Sequence, residues 1–233
     1  MHESVSEVRR PDKSAGSSLS RRQALGLVGT GLSAVLLAGC NDDSQWHAMN
    51  IAGSTPALAF TMTRAADGKT VTQADYRGEI VLLYFGYTYC PDICPTTLAN
   101  VAEILKRLGP EAMHIRVLFV TVDPNRDTLP VLAQYVKDFA PEIDGLRGTP
   151  DQLAALARRY RVVYSVEPTT KDHPYEVTHS SAIYVFDGSG AARLLIPSLA
   201  TTKPDIAGTT ADLRRLVEAK HPPSLLTRLL RLV

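Results

Sequence analysis

The sequence predicts an α/β domain: a central mixed sheet flanked by helices, with a C-terminal hairpin and helix. Three observations carry that prediction. Residues 80–85 (Ile-Val-Leu-Leu-Tyr-Phe) and 115–122 are short apolar runs, rich in β-branched and aromatic residues, as buried strands are. After the first run, Leu98, Val101, Ile104, Leu105 and Leu108 recur at helical spacing. Near the C-terminus, Asp187-Gly188-Ser189-Gly190 separates extended runs at 182–186 and 193–196, a hairpin signal.

The elements follow in order. Residues 57–63 read as a first strand, and Ala66-Asp67-Gly68-Lys69 as a turn. The strand at 80–85 leads into a helix whose pattern starts near Thr96. The strand at 115–122 ends in Asp123-Pro124-Asn125-Arg126-Asp127-Thr128, where Asp127 or Thr128 is the expected cap of the next helix. That helix spans 129–140, with Leu132, Tyr135, Val136 and Phe139 on one face. Leu146 lies in a short strand, and Thr149-Pro150-Asp151 opens a helix through Tyr160. Residues 162–166 are extended. Thr209 or Thr210 caps a last helix to about Lys220, with Leu213, Leu216 and Val217 inward. Alternating strands and helices make one domain with helices on both faces of a sheet.

Composition agrees with one ordinary domain plus a tail: 233 residues, 45% hydrophobic and 21% charged. The formal charge is +1; the first 39 residues hold five Lys/Arg and three acids, which leaves −1 for the remainder. So even a balance excludes nucleic acid as the expected partner.

Residues 1–39 read as an export signal rather than as part of the fold. A basic region ends at Arg21-Arg22, and an apolar stretch over 24–38 follows. That stretch is shorter than the ~20 residues a membrane span needs, and suits a signal core. Ser20-Arg21-Arg22-Gln23-Ala24-Leu25 resembles a twin-arginine signal, which usually has Phe where Ala24 stands; a Sec signal also carries basic residues. Leu37-Ala38-Gly39-Cys40 resembles the bacterial lipobox, which implies cleavage before Cys40 and lipid on its thiol. The expected product is an exported lipoprotein, anchored to a bacterial cell membrane and facing the periplasm or extracytoplasmic space. Polar residues over 41–54 then read as a tether.

With Cys40 assigned, Cys90 and Cys94 are the only other thiols. A crosslink between them encloses so short a loop that it adds only roughly 2 kcal/mol, which argues against a purely structural disulfide. Cys94 falls at the start of the helix, where backbone N–H groups favour negative charge and are expected to lower thiol pKa. A thiolate is both the nucleophile of disulfide exchange and a soft ligand for copper(I). A Cys pair leaving the first core strand and entering a helix points to the thioredoxin-like variety of α/β fold.

Of the six His, His2 lies in the signal, His47 in the tether, His114 before a strand far from the Cys loop, and His221 in the tail. His173 and His179 remain. His179 immediately precedes the hairpin strand; a thioredoxin fold sets that position, usually a cis-Pro, against the active-site loop. An imidazole there would be a third ligand beside the two thiols.

Three segments in order now resemble one family, the Sco/SenC proteins, over about residues 75–218. They are Tyr84-Phe85-Gly86-Tyr87-Thr88-Tyr89-Cys90-Pro91-Asp92-Ile93-Cys94-Pro95, Val122-Asp123-Pro124-Asn125-Arg126-Asp127-Thr128, and the segment bearing His179. The resemblance implies copper ion, Cu(I) or also Cu(II), held by Cys90, Cys94 and His179, with Asp123 as an acidic residue near the site. It implies a metallochaperone without turnover that assists assembly of the CuA centre of cytochrome c oxidase. Its partners would be oxidase subunit II, a copper donor, a thiol reductant and, through the lipid anchor, the membrane. The alternative is a thiol-disulfide oxidoreductase using Cys90 and Cys94 as a redox pair to reduce the oxidase subunit or another exported protein. Cys94-Pro95-Thr96 also resembles a peroxiredoxin motif, but Pro91 stands where those proteins have Thr. Tyr89 stands where many Sco/SenC members have His. The expected layout is signal 1–39, lipidated Cys and tether 40–54, thioredoxin-like copper-binding domain 55–220, and C-terminal extension 221–233.

Overall fold

The computed structural model describes residues 46–167 and 175–220. The export signal, Cys40, the start of the tether, His173 and the C-terminal extension lie outside the described residues. Within them the strands are β1 (Met49–Asn50), β2 (Thr61–Arg64), β3 (Thr70–Thr72), β4 (Ile80–Gly86), β5 (Ile115–Thr121), β6 (Ile143–Arg147), β7 (Tyr164–Glu167), β8 (Glu176–His179), β9 (Ile183–Phe186) and β10 (Ala192–Ile196). The helices are α1 (Ile93–Leu108), α2 (Leu129–Lys137), α3 (Pro150–Arg159) and α4 (Ile206–Lys220).

One mixed sheet runs β1-β10-β9-β4-β5-β6-β2-β3, and β7 with β8 forms a separate two-stranded ribbon. β4 pairs in parallel with β5, and β5 with β6, while β9 lies antiparallel to β4. All seven residues of β4 are buried, and all of β5 except Arg116. Cover on both faces is why these segments read as continuous apolar runs instead of alternating ones. Helices flank the sheet; α1 packs on α4, and Leu132 of α2 lies where a side chain on Gly145 of β6 would fall. This is the thioredoxin-like arrangement expected. The β9–β10 turn closes as predicted: Asp187 accepts from Ser189 and Ala191 amides, and Gly190 takes φ +84°.

Local differences from the sequence reading have physical causes. Residues 57–60 are not a strand. Side chains satisfy their backbone instead: the Ala59 amide donates to Tyr160 Oη, the Phe60 amide to Gln73 Oε1, and Tyr160 donates to Ala57 O. The expected tether supplies β1, whose Met49 and Asn50 pair with Leu195 and Leu194, and Ile51 is buried. A two-residue edge strand is too short to show any period. α4 starts earlier than expected, at Ile206, where the Asp205 carboxylate accepts from the Gly208 amide; Thr209 and Thr210 lie buried inside the helix. α2 ends at Lys137, short of residue 140. Thr149 caps α3 with a full capping box to Gln152.

Candidate metal centre

The site stands at the C-terminal end of β4. Gly86 closes that strand, and a Cβ there would come within 2.5 Å of the Phe119 ring and 3.0 Å of Cys94 Sγ. Only glycine lets the chain pass this closely over the sulfur. The loop then turns, with the Cys90 amide donating to Tyr87 O, and α1 begins at Ile93. Cys94 is fully buried in the first turn, whereas Cys90, 9% exposed, lies at the mouth. Asp92 occupies the cap position without a side-chain cap bond. The Cys94 amide donates to Cys90 Sγ at 3.4 Å, and the next residue, Pro95, has no N–H to satisfy. Sulfur thus takes the place of a capping oxygen.

His179 arrives from a different element, the last residue of β8, paired with Tyr164 of β7. Its Nδ1 lies 3.0 Å from Ser180 O, so Nδ1 carries the proton and donates to that carbonyl. Nε2 is therefore left with its lone pair, 3.2 Å from Cys94 Sγ. Tyr84 and Tyr87 meet the imidazole edge-on, at centroid distances of 6.2 and 5.8 Å. Tyr87 also donates to Val177 O, which ties β8 to the Cys loop. The donor atoms of Cys90, Cys94 and His179 all lie within 4.8 Å of one another, the one such group among the described residues. A cavity of about 340 Å³ opens over them, bordered by Cys90, Ile93, Val177 and His179.

Burial governs the protonation of this group. It pushes the Cys94 thiol up to about 12, outweighing the hydrogen-bond donors around the sulfur. That reverses the expected lowering for Cys94: loss of hydration costs a fully buried sulfur more than the helix N-terminus returns. Burial also holds the His179 imidazole below its ordinary value. Cys94 as thiol and His179 as neutral imidazole thus face each other at neutral pH. Two sulfurs and an unprotonated imidazole nitrogen, in reach of one ion, suit a soft monovalent metal; binding it releases thiol protons.

Asp123 is not part of this donor set. It is fully buried and accepts from Tyr175 Oη at 2.6 Å and from Arg126 Nε. Arg126 in turn lies 3.9, 4.7 and 5.8 Å from the ring centres of Tyr175, Tyr89 and Tyr87. Asp123 thus holds Arg126 near Tyr87, one of the two rings that meet the His179 imidazole. Asp127, expected as a helix cap, has another task. Its buried carboxylate accepts from the Thr88 amide at 3.0 Å, Thr88 Oγ1 at 2.6 Å and Thr121 Oγ1 at 2.5 Å. It bolts the start of the Cys loop to the end of β5. Thr128 holds the α2 cap position without a side-chain bond.

Comparison with known proteins agrees with this geometry. The SCO1/SenC family model matches residues 52–218. The chain is 46% identical over 125 residues to the mitochondrial protein SCO2 homolog of Bos taurus, an alignment covering 53% of this chain and 47% of the bovine protein. It is 38% identical over 173 residues to the Mus musculus counterpart, covering 70% and 67%. The chain thus spans about half the length of the bovine relative. Among solved structures, Bradyrhizobium japonicum ScoI with copper bound superposes with a TM-score of 0.60 at 35% identity, covering 69% of this chain and 98% of that one.

Proposed function

The chain belongs to the SCO1/SenC family, and from that premise we propose that it binds one copper ion through Cys90, Cys94 and His179 and hands it on during assembly of cytochrome c oxidase. The observation that carries this reading is the third ligand. His179 Nε2 is unprotonated, 3.2 Å from Cys94 Sγ, and fixed by a hydrogen bond from its other nitrogen. Disulfide exchange needs no such nitrogen. Copper(I) is here the cargo. Soft thiolates select it, and the imidazole completes the set and can be exchanged for a client's ligand in turn. The copper carried by the Bradyrhizobium relative supports the assignment. The client is the subunit II polypeptide that houses the CuA centre, with a separate copper donor upstream and a thiol reductant that keeps Cys90 and Cys94 reduced.

Export and lipid attachment at Cys40 complete the reading. No helix among the described residues is long and apolar enough to cross a membrane. A single acyl chain holds a protein only marginally, so the anchor requires more than one chain.

A second reading has its own support. Both thiols are free, and their sulfurs lie within the same 4.8 Å group, close enough for a disulfide to form with a small movement of the loop. The pair then serves as a dithiol reductant of the client's copper-ligand cysteines. Copper stoichiometry tests the first reading. The reduced protein should hold one copper ion per chain, and Cys94→Ala should hold none tightly. Undiminished copper in Cys94→Ala would overturn it.

A further inference from the structure

Trp46 and Lys220 line one cavity of about 500 Å³ on a single face. That face is built. The Asp212 carboxylate accepts from the His47 amide at 3.0 Å and the Ala48 amide at 2.8 Å, which pins Trp46 to α4. Arg215 of α4 stands 4.9 Å from the Trp46 ring centre. Arg193 and Lys220 bring further positive charge, offset by Asp187 at 3.4 Å from Arg193. The domain as a whole is close to neutral, so this concentration of cations around an indole is local.

We propose that this face docks on an anionic phospholipid surface. Indole and guanidinium groups, each with an apolar body and a polar edge, suit the headgroup layer, and cations gain from anionic lipid. In sequence, residues 225–232 have the same chemistry: five Leu with Arg228 and Arg231. Trp46 lies six residue steps from Cys40, a reach of at most about 20 Å, so a lipid on Cys40 would keep the face beside the bilayer. The reach depends on the proposed anchor; the charges around Trp46 do not.

Docking here orients the metal centre. The Gly78 amide donates to Gly188 O, which sets the β9–β10 turn at the start of β4. The Cys loop leaves from the opposite end, seven residues away and about 23 Å along the strand. With Trp46 on the lipid, Cys90 and His179 face outward, where a client's exposed copper site is accessible.

Trp46 is the single tryptophan of the chain, so it reports directly on its own face. The full mature chain is reconstituted on vesicles of phosphatidylcholine alone or mixed with phosphatidylglycerol, and Trp46 emission is read with headgroup-labelled quenching lipids. Docking predicts a blue shift and stronger quenching with phosphatidylglycerol, both reversed by salt. Lys220→Gln should lower the docked fraction ratio about fivefold. Equal quenching on both vesicles, or no response to Lys220→Gln and Lys220→Glu, would overturn the proposal. Copper content measured on the same samples separates this outcome from failure of the copper reading, since Lys220 lies at the other end of β4.

Discussion

Replacing Asp127 with Ala removes the acceptor of three hydrogen bonds from a fully buried position. Hydrogen bonds to a charged group contribute about 1.5–3 kcal/mol each, and partial relaxation around the smaller side chain recovers some of that. A net loss of about 4 kcal/mol follows, a large share of the roughly 5–15 kcal/mol that holds a domain together. Urea unfolding of the reduced, metal-free protein is the assay. With a slope of about 2 kcal/mol/M, the midpoint should fall by about 2 M at unchanged slope. Asp127→Asn keeps the shape and one acceptor oxygen, and should cost clearly less. Because Thr88 sits two residues before Cys90, Asp127→Ala should also weaken copper retention. A midpoint shift below about 0.5 M would refute the view that this carboxylate secures the loop.

Other outcomes follow from the same contacts. Asp123→Asn should destabilise the protein, since it unbalances the Arg126 pair, yet still bind one copper ion per chain; loss of stoichiometry by metal analysis would make Asp123 a ligand. Burial lowers the His179 pKa in the folded state, so the unfolded chain takes up its proton first, near 6.5. That stability is complete above about pH 6.5 and lost as pH falls through the depressed folded value; urea midpoints against pH should show an acid limb that His179→Gln flattens. Cys94 has the opposite sign: its contribution is present below its ordinary 9.0 and lost as pH rises toward about 12, a limb that Cys94→Ala removes. Mass spectrometry of the mature protein should find Cys40 as a lipidated N-terminus, and an unmodified or uncleaved chain would reject the anchor.

The sequence made the centre of the fold legible because β4 and β5 are buried on both faces, and a two-sided core leaves an unbroken apolar run. Cys94 in the first turn of α1 followed from the switch between strand and helix periods. His179 could be placed beside the thiols only through its position ahead of β9; the β7–β8 ribbon that carries it leaves a weak pattern of four-residue strands, largely open to solvent on β7. Arg126, Tyr175 and the true role of Asp127 were not legible. Each has a partner 39 to 52 residues away in the chain, and no local spacing encodes such contacts. Nor was the cap of α4: Asp205 lies in a loop whose neighbouring Thr pair offered an equally good cap by type alone. The raised Cys94 thiol shows the same limit, since helix position is visible in sequence and complete burial is not.

The copper affinity of reduced His179→Ala, measured by competition with a Cu(I) chelator and set beside the unaltered protein, tests the central claim most directly. Loss of a mere outer partner costs a metal site about 10–100-fold. If His179 is a ligand, the affinity should fall by at least that much, while oxidation still closes the Cys90–Cys94 disulfide. Unchanged copper affinity in His179→Ala would contradict the three-ligand centre and leave the dithiol reductase in its place.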